Sequence, residues 1–128
     1  MFEKLKNFHN KFVPSTCNHQ CRQVIVYCTQ SYLSHEDYVD KIDHVAKASI
    51  NKANEMDYDI WCCYCYQDTV LLMCNDFSEM DELYEKAVYG VGVPASFICN
   101  KNNNMIMMAI GPAKAQIIDN LVKNFDYF

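Results

Sequence analysis

The stretch Tyr89-Gly-Val-Gly-Val-Pro94-Ala-Ser-Phe-Ile-Cys-Asn100, continued by Lys101 to Asn104 and then Met105-Ile-Met-Met-Ala-Ile-Gly111-Pro112, decides how the rest of the chain is read. Two apolar runs, Ser96 to Cys99 and Met105 to Ile110, flank a polar, Asn-rich turn, which is the pattern of a β-hairpin. Both strands are almost wholly apolar, so both faces of the hairpin should be covered. Pro94 opens the first strand, because proline cannot donate to a ladder from inside it. Gly111-Pro112 closes the second and leads into a last helix from about Ala113 to Phe125, with Ile117, Ile118, Leu121, Val122 and Phe125 inward. The aromatics at 127 and 128 are expected to pack.

Working outward, Gln23 to Thr29 is a β-branched and aromatic run that suits a central parallel strand buried on both faces. Ser34-His35-Glu36-Asp37 then has the form of a capping box, with Ser34 as N-cap, and helical spacing continues from Tyr38 to about Met56. Two further runs compete to be the second parallel strand, Asp59 to Tyr66 and Val70 to Cys74, and periodicity does not choose between them. A helix begins near Ser78, with Met80, Leu83, Ala87 and Val88 inward and Glu79, Asp81, Glu82 and Glu85 outward. Ahead of everything, Phe2, Leu5, Phe8 and Phe12 mark a short amphipathic helix that Pro14 stops.

The hairpin and its flanks resemble the C-terminal half of a thioredoxin-like domain. In that family a helix ends in Tyr-Gly-Val, a cis Val-Pro peptide leads into a strand, and a glycine turn starts the last helix. The matching residues here are Tyr89-Gly90-Val91, Val93-Pro94, Phe97-Ile98 and Gly111. The resemblance implies an α/β fold, thioredoxin-like, with a central mixed sheet of four to five strands and helices on both faces. It implies a single domain over residues 1–128, with 1–21 as an N-terminal helix and loop extension.

The same resemblance places the redox Cys-x-x-Cys between the first strand and its helix, where this chain has Ser31-Tyr32-Leu33-Ser34. A serine hydroxyl cannot form a disulfide. The implied function is therefore a redox-inactive protein-binding or structural module, a subunit of a larger assembly. Its interaction surface is Ser31, Tyr32, Leu33, Ser34 and His35 together with Val93, Pro94 and Ala95, with Gly111 beside them. The alternative is a thiol-disulfide oxidoreductase of thioredoxin or glutaredoxin type, with Cys28 as catalytic nucleophile and Cys62 or glutathione resolving it. Cys28 qualifies only if the strand ends before it.

Trp61-Cys62-Cys63-Tyr64-Cys65 spells the family's Trp-Cys-x-x-Cys but follows the long helix instead of preceding it. Read as a strand, residues i and i+3 lie ~10 Å apart on opposite faces, beyond the ~7 Å that a disulfide spans. These cysteines are then expected to be buried. Cys17, His19 and Cys21 offer three metal ligands, one short of a structural zinc site. No cofactor is implied.

A net charge of −5, with 51% apolar and 21% charged residues, argues against a general nucleic-acid binder, because phosphate affinity rests on clustered Lys and Arg. No apolar run approaches a membrane span, and residues 1–12 lack a signal sequence's apolar centre. The expected partner is a protein or protein complex, with no nucleic acid and no membrane insertion. The expected location is intracellular, cytoplasmic or an organellar matrix, where eight cysteines read as reduced thiols.

Overall fold

A computed structural model describes residues 20–127. The expected helix at 2–12, and Cys17 and His19, lie outside the described residues. Strand β1 (Cys21–Cys28) leads to helix α1 (His35–Ile50), helix α2 (Glu55–Cys63) and strand β2 (Thr69–Cys74). Helix α3 (Phe77–Glu85) runs into a π-helical turn at Lys86–Gly90, and the hairpin β3 (Ala95–Cys99) and β4 (Met105–Lys114) follows. Helix α4 (Ala115–Val122) and the two-residue strand β5 (Asp126–Tyr127) complete the chain.

The five strands form one mixed sheet in the order β3-β4-β1-β2-β5. β1 and β2 are parallel, with Cys28 opposite Cys74, while β1–β4, β3–β4 and β2–β5 are antiparallel. β1 is central and alternates its sides, as the period of two requires. Val24, Val26 and Cys28 join Met80 and Leu83 of α3 and Ile118 of α4 on one face. Ile25 and Tyr27 join Val45, Tyr38 and Ile42 of α1 on the other. The expected mixed α/β sheet with helices on both faces is therefore present.

The predicted long helix divides in two. Asn54 Oδ1 accepts from the Asp57 amide at 2.8 Å, and its Nδ2 donates to Asp57 Oδ2 at 2.9 Å. This second cap starts a new helix where the sequence reading expected a strand at 59–66. Trp61 and Cys65 turn inward and pack against Cys21. Trp61 Nε1 donates to the Asp68 carbonyl at 2.8 Å. The second parallel strand is thus the later run, at 69–74.

The hairpin lies where its sequence puts it, held by Asn100 Oδ1 accepting from the amides of Asn102 and Asn104. Its second strand runs past Gly111-Pro112 instead of stopping there. The peptide that is cis is Gly111–Pro112 and not the expected Val93–Pro94. The last helix begins at Ala115 and ends at Val122, so the tail has room to return as β5 against β2. No helix among the described residues is long and apolar enough to cross a membrane.

Candidate functional site

Because β1, β2 and β3 point the same way, their C-terminal ends form one rim with the N-termini of α1 and α3 above it. In open α/β sheets ligands bind outside the carboxyl ends of the strands. The β1–α1 loop supplies the rim's chemistry. Ser34 caps α1 by accepting from the Asp37 amide at 3.2 Å, as its spacing predicts, and this leaves His35 exposed in the first helical turn.

The loop is pinned at several points. The Ser31 amide donates to the Cys28 carbonyl at 3.2 Å, and the Tyr27 hydroxyl donates to the Ser31 carbonyl. Tyr27 in turn meets Tyr38 of α1 edge to face, with ring centroids 5.1 Å apart. Leu33 packs into the core beneath α1. Thr29 Oγ1 donates to the Cys74 carbonyl at 3.1 Å, and Gln30 Oε1 accepts from the Phe77 amide at 3.0 Å, which ties the loop to β2 and α3. Burial pushes both tyrosine hydroxyls up in pKa, Tyr38 to about 12, so both remain protonated hydrogen-bonding groups near neutral pH.

The structure separates the two halves of the expected peptide-binding surface. Ser31 to His35 stand at the rim. Val93 to Ala95 begin β3 at the other end of the sheet, where Lys52, just beyond α1, donates to the Ala95 carbonyl at 3.0 Å. The 16-residue helix α1 lies between them, about 24 Å long. The thioredoxin arrangement needs the proline loop to face the helix N-terminus. Here β4, and not the proline-led β3, pairs with β1, so Pro94 starts an edge strand at the wrong end. The backbone ahead of Pro94 is also engaged, since the Val93 amide donates to the Ala87 carbonyl at 2.9 Å. Gly111 is near Pro94, whose carbonyl accepts its amide at 2.8 Å.

The cysteines do not assemble a redox centre. β1 continues through Cys28, which is 0% exposed, so the condition for its reactivity is not met. Its neighbour Cys74 has its thiol pushed up to about 12, with burial as the main cause. Cys62 lies in α2 and packs against the cluster of Cys21, at the start of β1, whereas Cys28 is at that strand's other end. Cys21 opens β1 instead of ending a loop extension, and burial, then the charges of Asp57 and Cys65, push its thiol up to about 12. Among the described residues no three His, Cys, Asp or Glu side chains stand where they would hold a metal ion.

A separate cavity of about 370 Å³ opens beside β5 over the first halves of β1 and β2, lined by Arg22, Leu72, Asp119, Lys123 and Tyr127 among others. Its size suits a small ligand, but Arg22 is committed there to Asp68 and Asp119 at 2.6 and 2.5 Å. The rim's loop, by contrast, presents exposed groups on a fixed backbone. Sequence reasoning found Ser31 to His35 but missed the ties that fix them, Thr29, Gln30 and Asn75, whose Oδ1 lies 3.3 Å from Thr29 Oγ1; the polar run directly after a strand was the available signal.

Compared with known families, residues 15–128 match the family model described as "Peptidyl-tRNA hydrolase PTH2". No curated protein matches the chain. The match takes in every described element and overturns both the thioredoxin-like assignment and the functions drawn from it, the redox-inactive binding module and the oxidoreductase. The shared forty residues are local parts, a glycine-proline entry, a hairpin and a helix, that more than one sheet order accommodates. The chain belongs to the peptidyl-tRNA hydrolase PTH2 family.

Proposed function

We propose that the chain hydrolyses the ester joining a peptide to the 3′ ribose of tRNA. The observation that carries this reading is the family match over residues 15–128. In the reaction, water adds to the ester carbonyl, the carbon–oxygen bond to the ribose breaks, and the peptide leaves as a carboxylate with the ribose hydroxyl restored. Such a reaction needs a base for the water and donors for the carbonyl oxygen as it gains charge. His35 at the rim is the candidate base. The first-turn amides of His35 and Glu36 are the candidate donors, since helix N-termini leave such groups without intrahelical acceptors and the Ser34 cap takes only the Asp37 amide.

Direct attack by water fits the rim better than a covalent intermediate on a hydroxyl. Thr29 Oγ1 is engaged with Cys74 and Asn75, and Ser34 Oγ is engaged as the helix cap. This reading gives the chain an RNA-bearing substrate, in place of the expected absence of a nucleic-acid partner, and places it inside the cell where that substrate occurs. The test is to incubate the purified protein with an N-acetylaminoacyl-tRNA and follow release of the acylated amino acid. Release in proportion to enzyme supports the reading; none above the spontaneous rate at micromolar enzyme overturns it.

A further inference from the structure

Resting on that reading, we infer that Tyr32 is a nucleobase-stacking residue that holds the unpaired 3′ end of the RNA against the rim. Its ring is 91% exposed although the residues on either side are held down, Ser31 through its amide and carbonyl and Leu33 by packing in the core. A backbone held by protein contacts therefore presents a bare aromatic face to solvent. That is the form of a stacking platform for an unstacked base. Tyr64 and Tyr66, which precede β2, and Tyr89, which precedes β3, are also exposed but stand at the opposite end of the sheet.

Electrostatics strengthens the inference. RNA affinity usually comes from phosphate contacts to Lys and Arg. At this rim Glu36 and Asp37 occupy the first turn of α1, Asp76 caps α3, and Glu79 follows in its first turn, while Lys101 in the hairpin turn is a cation at the same end. Phosphate attraction is weak where carboxylates dominate, so the RNA end needs a contact that does not depend on charge. Stacking on Tyr32 supplies one, and it is tolerant of which base is offered.

The experiment compares wild type, Tyr32→Ala and Tyr32→Trp on two probes. The first is an N-acetylaminoacyl-tRNA, read as KM and kcat. The second is a short RNA oligonucleotide ending in CCA, read as binding by fluorescence anisotropy at two salt concentrations. Tyr32→Ala is expected to raise KM and the oligonucleotide Kd together by about 5- to 150-fold, the worth of one base–aromatic stack, with kcat within about twofold. Tyr32→Trp is expected to retain wild-type values, and wild-type binding to weaken only a little with salt. Hydrolysis by wild type with KM and Kd unmoved in Tyr32→Ala overturns the stacking role and leaves the hydrolase reading standing. Oligonucleotide binding that depends on Tyr32 without any hydrolysis supports the stacking role and overturns the hydrolase reading instead. Neither binding nor hydrolysis by wild type overturns both.

Discussion

Arg22 Nε lies 2.6 Å from Asp68 Oδ2, with the two side chains only 8% and 2% exposed, and this buried pair joins the start of β1 to the residue before β2. Burial alone lowers the guanidinium's pKa, but the hydrogen bond to Asp68 and its charge, with help from Asp119, outweigh that and hold it raised. The Asp68 carbonyl also receives the Gln23 amide at 3.0 Å and Trp61 Nε1 at 2.8 Å, so strand pairing and the end of α2 meet at one residue. Removing Asp68 leaves the buried Arg22 charge with the half-exposed Asp119 carboxylate alone, which water screens, so the cost should approach the roughly 3–5 kcal/mol of breaking a buried pair. Asp68→Ala is therefore expected to lower unfolding free energy by about that amount in urea denaturation. Asp119→Asn should lose under about 1 kcal/mol, because Asp119 is 53% exposed and water screens its pairing. Equal losses at the two positions would show that the deeper ion pair is not the tie between the strands.

Gly111 is the second such junction. Its φ is +95°, and a Cβ placed there would lie 2.6 Å from the Arg22 carbonyl oxygen and 3.1 Å from the Ala113 amide nitrogen. Its carbonyl accepts from Ser49 Oγ of α1 at 2.6 Å, while its amide reaches Pro94 ahead of β3. Gly111→Ala combines a left-handed backbone with a clash against fixed backbone atoms, so a loss of roughly 2–5 kcal/mol is expected. Ser49→Ala, which removes one buried hydrogen bond and no volume conflict, should lose about 1–3 kcal/mol. Thermal and urea unfolding of the two variants check the order.

Much of this framework was legible in the chain. The run from Val24 to Cys28 announces a central strand because both its neighbours and both its faces are protein, and Ser34 announces a helix start because its acceptor is local. The Asn100 turn is likewise decided within five residues. What failed was long-range. The sequence around Pro94 is compatible with β3 or β4 lying next to β1, and only side-chain packing across the whole sheet settles which. The strand reading of Asp59 to Tyr66 fails for a different reason: its β-prone composition points to a strand, while the local Asn54–Asp57 cap starts a helix. At the site, Ser31 to His35 were identifiable because they follow a strand and start a helix. Their assignment to a peptide surface depended on bringing Val93 to Ala95 alongside, and the topology places those residues at the other end of α1.

Alkaline pH offers a test of the buried thiols. The Cys21 and Cys74 thiols rise from 9.0 to about 12 in the fold, chiefly through burial, and the Tyr38 hydroxyl rises from 10.0 to about 12 for the same reason. The native state thus keeps protons that the unfolded chain gives up. Unfolding releases them, so this stabilisation is fully present below about pH 9 and is lost as pH rises toward 12. Each group ionised only in the unfolded state lowers stability by up to about 1.4 kcal/mol per pH unit. Urea midpoints are expected to fall steadily from pH 9 to 11, and more shallowly in a Cys21→Ala, Cys74→Ala double variant. An equal slope in both proteins would mean that these thiols are not the cause.

The same burial predicts which cysteines a small alkylating reagent reaches. Cys63 and Cys99 are exposed and Cys62 partly so, whereas Cys21, Cys28, Cys65 and Cys74 are buried. Among the described cysteines, mass spectrometry of the native protein at neutral pH should find Cys63 and Cys99 modified first and Cys28 unmodified until the protein unfolds. Fast labelling of Cys28 would show that β1 frays at its C-terminal end, with the loop carrying His35 freed along with it.

His35 separates a chemical role at the rim from a merely structural one. It follows the cap residue Ser34 on α1, and its exposed imidazole contributes nothing to the buried clusters on either face of the sheet. His35→Ala should therefore leave the urea midpoint nearly unchanged. If the imidazole takes the proton of the attacking water, the same change lowers kcat on peptidyl-tRNA by about 10²- to 10⁴-fold while KM moves little. The pH profile discriminates further. A histidine base must be neutral to accept the proton, so wild-type kcat should fall toward acid pH, and His35→Ala should abolish that acid limb. Cys28→Ala serves as the comparison: it removes a fully buried thiol packed in the cluster beneath α3 and α4, and any loss it causes should follow its stability. A His35→Ala enzyme with wild-type kcat and an unchanged acid limb would assign the base to another group at the rim.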